Sequence, residues 1–383
     1  MNYLTQTQIK VYNLNINKGE CIMTPRESEI MELIKKTPTI SQQEIADILN
    51  IKRSSVAVHI NNLSKQGYIL GRRYIFRESP LITVIGGANV DVIGYPDSTI
   101  IKKDSNPGTI VKSGGGVGRN ICENLAKLSA PVSFIGAFGE DSNGDMLING
   151  LKEIGVNTDD VFIFQDTPTS TYLAILNEDR DMEFAINDMS IVEKLTPDML
   201  FKKKKKIENA NCVVMDTNLP ESTIKYLLKD VKQKFYIDCV SVKKAEKLVE
   251  CLDKIYFLKA NKYEAQFLSG IEINSVEDAQ IASEILFEKG IKSVVITIGE
   301  LGLVYKDRNN SLYIKSKPMK IENASGAGDA FMAGYVYGDY TKMDLISKLK
   351  YATACSRVAL KSKSTTIETV AIGSIEEEME NVE

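Results

Sequence analysis

Residues Asn323-Ala324-Ser325-Gly326-Ala327-Gly328-Asp329-Ala330-Phe331-Met332-Ala333-Gly334 set small side chains and a single carboxylate at a strand-to-helix junction. The strand character runs from Leu312 to Ile321, broken by Pro318, and an apolar helical run begins near Asp329. A Gly-Ala-Gly segment that opens a helix leaves the backbone N–H groups of Gly326, Ala327 and Gly328 bare and convergent, which suits a phosphate or another developing anion. Asp329 is by its charge a poor phosphate ligand. At a helix start it is well placed as a general base that takes a proton from an attacking hydroxyl. The competing reading is a glycine-rich turn with Asp329 as helix N-cap, and the tetrapeptide alone does not choose between them.

The front of the same region narrows the choice. Leu81-Ile82-Thr83-Val84-Ile85 has the unbroken apolar character of a parallel strand buried on both faces, and Gly86-Gly87-Ala88-Asn89-Val90-Asp91 follows it. A carboxylate beyond the carboxyl end of such a strand faces the crevice where open α/β sheets bind ligands, so Asp91 is a candidate for holding sugar hydroxyls. In Ser113-Gly114-Gly115-Gly116-Val117-Gly118-Arg119-Asn120 the glycines let a ligand approach the backbone, and Asn120 can donate to and accept from hydroxyls. This loop lacks the lysine of a P-loop and the acidic spacing of a dinucleotide fingerprint.

Three ordered motifs, Gly115-Gly116-x-Gly118-x-Asn120, Gly136-x-x-Gly139-x-Asp141 and Gly326-Ala327-Gly328-Asp329, resemble those of the ribokinase-like carbohydrate and nucleoside kinases, the phosphofructokinase B family. The likeness runs from residue 81 to about 370. It implies a three-layer α/β/α sandwich with a small β lid from about 97–113 and 169–190. It also implies ATP as phosphoryl donor with Mg²⁺, a monovalent cation as a further candidate, and a homodimer formed through the lid. Asn261-Lys262-Tyr263-Glu264 resembles the family's Asn-x-x-Glu motif, which puts Glu264 near Mg²⁺ through water and Asn261 near the nucleotide. Thr297, Gly299, Gly302 and Gly328 would line the nucleotide, with the helix after Asp329 and the one over Tyr351 to Leu360 bracketing adenine. Within the family, Gly87 to Tyr95, Asp104 to Gly108, Ala185 to Met189 and Asn323-Ala324 look like the pseudouridine kinases. That likeness implies phosphorylation of the 5′-hydroxyl of pseudouridine, with Asp91, Asn89, Gly115, Gly116 and Asn120 on the ribose, Ser105, Asn106 and Asn187 toward the base or lid, and Lys244 near the phosphate. Other sugar or nucleoside kinases share the same catalytic set.

Ahead of this region, residues 24 to 76 read as three short helices and a hairpin. Thr24-Pro25-Arg26-Glu27 and Ser41-Gln42-Gln43-Glu44 are helix-start boxes, and Asn50-Ile51 turns the chain into a third helix from about Lys52 to Lys65. That helix presents Lys52, Arg53, Ser54, Ser55 and His59, and Gly71-Arg72-Arg73 forms a basic hairpin tip. The segment resembles the winged helix-turn-helix of bacterial transcription regulators and implies DNA as a partner. The domain limits expected are a flexible leader over 1–22, a winged helix-turn-helix domain over 23–78 and a kinase domain over 79–383. A transcription regulator whose kinase-like domain only senses a ligand is the alternative from another class.

Composition excludes little else. A net charge of −4 gives no global argument for nucleic acid, and six dispersed cysteines with one histidine, His59, make a zinc site a poor expectation. No apolar run approaches the roughly 20 residues of a membrane span, and residues 1–22 lack a signal-peptide core, so a cytoplasmic protein without a membrane partner is expected. The run Lys202 to Lys206 is read as a solvated helix face.

Overall fold

The structure, a computed structural model, describes residues 23–69, 81–362 and 364–383, which fall into two units divided between Arg77 and Glu78. The expected leader, the hairpin tip with Arg72 and Arg73, and the linker to Pro80 lie outside the described residues.

In the first unit, α1 (Pro25–Lys36), α2 (Gln42–Leu49) and α3 (Arg53–Lys65) enclose Ile30, Ile34, Ile45, Val56, Ile60 and Leu63. Both expected boxes form: the side chains of Thr24 and Ser41 accept from the amides of Glu27 and Glu44, whose carboxylates accept in return. Each such cap contributes about 0.5–2 kcal/mol. Asn50, at φ 51°, ends α2 in the left-handed region and sends the chain into α3.

The second unit opens with β1 (Ile82–Ile85), β2 (Asn89–Pro96), β3 (Gly108–Gly115), α4 (Val117–Lys127), β4 (Val132–Ile135), β5 (Ala137–Gly139), α5 (Ser142–Glu153) and β6 (Phe162–Phe164). Next come β7 (Thr171–Leu176), β8 (Met182–Asp188), α6 (Pro197–Phe201), α7 (Lys204–Glu208), β9 (Cys212–Asp216), α8 (Glu221–Asp230), β10 (Phe235–Asp238) and α9 (Val242–Ala245). It closes with β11 (Phe257–Asn261), α10 (Lys262–Ser269), α11 (Val276–Glu288), β12 (Ser293–Thr297), β13 (Leu303–Asp307), β14 (Ser311–Ile314), α12 (Ala327–Tyr340), α13 (Leu345–Leu360) and α14 (Ile375–Met379).

An eight-stranded sheet in the order β14-β13-β12-β11-β10-β9-β1-β4 carries this unit, parallel from β4 to β12 and antiparallel at β13 and β14. β1, β4, β9 and β10 are buried at every position, as apolar runs covered on both faces must be. Two apolar clusters lie on the sheet, one with α4, α12 and α13, the other with α8, α10 and α11, giving the α/β/α sandwich. Polar residues enter this core at the carboxyl ends of the strands. There Asp216 stands opposite Asp238 and Asp238 opposite Lys259, one row across β9, β10 and β11.

The lid is a separate sheet in the order β3-β2-β7-β8. Its range extends the expected one, because β2, which precedes residue 97, is one of its two inner strands. The expected strand Leu312 to Ile321 ends at Ile314. Beyond it, Lys315 and Lys317 turn their amides to the carbonyls of Glu383 and Asn381, and Pro318 has no amide to give. The five described cysteines are free and buried. The lysine run is not uniformly solvated: Lys203 and Lys206 both donate to Asp160, at 2.7 and 2.9 Å. No helix among the described residues is long and apolar enough to cross a membrane.

Candidate active site

α12 begins where the sequence is smallest. Gly326 sits at φ +81°, and a Cβ there would strike the carbonyl oxygen of Thr365, so only glycine fits. The first helical bond runs from the amide of Ala330 to the carbonyl of Gly326, which leaves the amides of Ala327, Gly328 and Asp329 ahead of the helical ladder. Asp329 does not cap this helix. Its side chain is buried and its Oδ2 accepts from Nδ2 of Asn120, at 2.8 Å, across from α4. Burial, then the negative charge of Asp238, push its carboxyl up to about 7, against the Asn120 bond and the Lys259 ammonium.

Asp91 lies against the glycine loop at Gly115, and Asn120 stands in the first turn of α4 that follows the loop. Asn89 donates to Asp91 across 2.6 Å, and Gly115, opposite Asn89 in the β2–β3 ladder, comes so close to Asp91 that any Cβ would collide with its carboxylate. Burial raises the carboxyl of Asp91, against the Asn89 bond and the charge of Arg119. Gly116, at φ +96°, packs its backbone on Ala88 and brings the loop into α4. The side chains of Ser113, Asp91, Tyr172 and Asn187 occupy one cross-strand row, so Asn187 shares the lid face of Asp91.

The remaining expected residues distribute unevenly. Asn106 turns its side chain back on its own loop, accepting from the amide of Ile101 at 2.7 Å and donating to the carbonyls of Ile101 and Asp104. It lines a cavity with Val92, Ile110 and Leu173, on the lid face opposite Asp91. Ser105 is exposed in the same loop, its amide donating to Asp104. Lys244, lowered by burial, donates to Asn218. Asn261 and Glu264 form the capping box of α10, with Oε2 of Glu264 accepting from the Asn261 amide at 2.8 Å. Thr297, Gly299, Gly302 and Gly328 line one cavity of about 330 Å³ between β12, the segment Ser316 to Ile321, α12 and α13, and Leu303, Phe331 and Leu360 complete its apolar walls. Asn261 is not among the residues lining it.

Lys259 was not singled out by the sequence. It is buried, 2.9 Å from Asp238, and a Cβ on Gly328 would collide with its Nζ, so the ammonium stands directly beneath the amide hollow. Burial alone would lower it; the charges of Asp238 and Glu264 outweigh burial and hold it above the ordinary lysine range. Asp238 and Asp216 were likewise missed as site residues. Oδ2 of Asp216 accepts from the amides of Gly87 and Gly118, at 2.9 and 2.7 Å, tying the two glycine loops together. A charged residue next to the Asn261-x-x-Glu264 motif, in the otherwise apolar strand Phe257–Ala260, was the available signal for Lys259.

Among the described residues no group of three or more acidic, histidine or cysteine side chains forms a metal cage. Glu264, raised by burial and by the charge of Asp238, has one carboxylate oxygen outside the capping box. That donor set fits a Mg²⁺ ion that keeps most of its waters and takes its other ligands from phosphates.

On α3, Lys52, Arg53 and Ser54 are exposed and Ser55 is half-buried. His59 is half-buried as well: its Nδ1 lies 3.8 Å from Glu27, to which Asn62 also turns. The outer face of α3 therefore carries Ser54, Val58, Asn61 and Lys65 in place of His59.

Comparison with known proteins places the chain in a family. A family described as pfkB family carbohydrate kinase matches residues 79–371, and winged helix-turn-helix DNA-binding matches 23–69. The Escherichia coli sugar kinase YeiI, itself uncharacterized, is 34% identical over 344 residues, 89% of this chain and 95% of that one. That span is longer than the second unit and so reaches into the first. The Escherichia coli pseudouridine kinase is 34% identical over 310 residues, 80% of this chain and 99% of its own. Among solved structures, a carbohydrate kinase from Agrobacterium tumefaciens superposes with a TM-score of 0.71 at 26% identity, covering 79% of this chain and 98% of that one.

Proposed function

The chain belongs to the pfkB family of carbohydrate kinases, with a winged helix-turn-helix unit in front, and on that premise we propose that it phosphorylates the 5′-hydroxyl of pseudouridine from ATP. The observation that carries the reading is the buried Asp329–Asn120 pair at the mouth of an amide hollow. Pseudouridine is favoured over other acceptors by the 34% identity to a pseudouridine kinase across 99% of that protein.

In this reading Asp91, Gly115 and Asn120 hold the ribose hydroxyls, with Asn89 fixing the carboxylate of Asp91. Asn187 and Tyr172 lie along the same lid row, on the side where a base would project. Asp329 takes the proton of the 5′-hydroxyl as its oxygen attacks the γ-phosphorus. The bond to the β,γ-bridging oxygen breaks, and ADP leaves. Phosphoryl transfer asks the protein for alignment and charge neutralisation more than covalent chemistry. The amides of Ala327, Gly328 and Asp329 and the ammonium of Lys259 face the oxygens of the moving group. The cavity beside Gly328 and Phe331 takes the nucleoside of ATP. Mg²⁺ near Glu264 would supply charge neutralisation for the β- and γ-phosphates.

The lid adds an assembly. Ile110, Leu173, Ile175, Phe184 and Ile186 share the face opposite Asp91 and are exposed by 37% to 71%, a contiguous apolar patch that a second copy would cover. Both units fit a cytoplasmic setting. The winged helix-turn-helix supports a second role: α3 offers Lys52, Arg53 and Ser54 to phosphates and base edges.

The test is ATP consumption with pseudouridine, uridine, adenosine, ribose and fructose side by side. Preferred turnover of pseudouridine is expected, and preferred turnover of another acceptor would move the protein elsewhere in its family. Fluorescence anisotropy on the protein's own upstream DNA, with and without pseudouridine, tests the second role. Replacing Arg53 with Ala should weaken binding and reduce the salt dependence by about one ion.

A further inference from the structure

The glycine loop that leads into α4 carries a residue whose chemistry the proposed reaction does not use. Arg119, next to Asn120, donates through NH1 to Oδ1 of Asn120, at 3.1 Å, while Nδ2 of the same amide donates to Asp329. A Cβ on Gly114 would collide with the guanidinium, so β3 is bare at that point to admit it. Arg119 also pairs with Glu123 one turn along α4. Glu123 is held in turn by Lys127, at 2.7 Å, and by the hydroxyl of Thr366, at 2.7 Å. Lys127 reaches Thr366 and the carbonyl of Ile367, and Asn124 accepts from the Ile367 amide at 2.8 Å. Thr365, beside these residues, is the one whose carbonyl abuts Gly326. A polar strut therefore runs along α4 from the acceptor side of the cleft to the back of the anion hollow.

We propose that Arg119 is a positioning residue for the base: it fixes the amide of Asn120 in the orientation that donates to Asp329, and the strut through Glu123 and Thr366 sets that pair against the hollow. The inference rests on the kinase reading of the site. An asparagine amide has ends of similar shape and opposite hydrogen-bonding character, so its orientation is chosen by its partners. With a guanidinium at Oδ1 the amide presents only N–H to Asp329. Without it, the oxygen end can turn to the carboxylate, and the bond that holds the Asp329 carboxyl down is lost. The other groups facing Asp329 are Asp238 on β10, Asp216 on β9 and Lys259 on β11, none of which belongs to the strut. Arg119, Glu123 and Lys127 have side chains only 12% to 13% exposed, so the strut is shielded from competing water.

The kcat/KM profile reports the free enzyme, which is the state in which the pair is seen. For Arg119→Gln the acid limb of log kcat/KM should move up by about one pH unit, and because Arg119 also lowers Asp91, the NMR titration of Asp329 assigns the shift. Activity should then be about tenfold lower on the limb and within about twofold of wild type on the alkaline plateau. Glu123→Gln, which loosens Arg119 without removing it, should move the limb in the same direction by less, and it carries the test if Arg119→Gln does not fold. A general loss of structure lowers the whole profile and leaves the limb in place, and that result would overturn the proposal. A titration of Asp329 followed by ¹³C-aspartate NMR, assigned with Asp329→Asn, reads the same shift without turnover. Should no acceptor support ATP consumption, the kinase reading fails, while an upward shift in that titration would still uphold the Arg119 contact and its absence would end it.

Discussion

The central sheet is built from strands of four or five residues and the lid from strands of six to eight, and the two differ further in burial and charge. β1, β9 and β10 are buried throughout and admit charge only where they end, whereas every residue of β8 is exposed. At the carboxyl ends of the central strands Asp216 stands opposite Asp238 and Asp238 pairs with Lys259, while burial and the charge of Asp238 push the nearby Asp329 carboxyl up to about 7. On the lid, Asp91 and Asn187 face one way and an uncovered apolar patch faces the other. In the proposed reading, proton transfer and charge stabilisation belong to the strand ends, where burial perturbs a carboxyl. The same reading gives acceptor choice and assembly to the lid, where side chains can change without opening the core.

The two regions should therefore fail differently. Asp329→Asn should reduce kcat by about 10²- to 10⁴-fold with acceptor affinity kept, as measured by steady-state kinetics and calorimetry. The same variant should melt higher than wild type above neutral pH. Between the ordinary carboxyl range and about pH 7 the folded protein keeps a proton that the unfolded chain has released, so wild-type stability falls as pH rises through that window. Lys259→Met should lower kcat by about 10²-fold and also lower the melting temperature, since it leaves Asp238 buried without its partner. On the lid side, Asp91→Asn should act mainly on KM for the acceptor, raising it about 10-fold or more with a smaller change in kcat. A fall in kcat as deep as that of Asp329→Asn would erase the distinction between the regions. The gentlest change is expected from Phe184→Asp on the outer lid face. It should shift the mass seen by light scattering from a dimer toward the 42.5 kDa chain while kcat stays within about threefold.

Legibility in the sequence followed the same divide. Asp91, Asn120 and Asp329 lie in glycine-bearing motifs, and glycine marks close approach: the fold brings Asn120 to Asp329 and Gly115 against Asp91. The helix-start boxes at Thr24 and Ser41 were readable because capping is local. Lys259, Asp238 and Asp216 were not readable as a unit. Their meaning comes from a row across three strands that are separated by 22 and 21 residues in the chain. The strut from Arg119 to Thr366 spans 247 residues, and only folding brings its ends together. Asn106 was placed toward the base or lid through the family resemblance, and in the structure its hydrogen bonds serve its own loop. His59 was read as outward on α3, and the acidic Glu27 of α1 draws it inward.

The most direct measurement is the pH dependence of kcat/KM for wild type and Asp329→Asn with pseudouridine and ATP. For wild type, log kcat/KM should rise with unit slope and level near pH 7, while the variant should keep a low activity with no such inflection. The same inflection at near wild-type rate in Asp329→Asn would show that another group takes the proton.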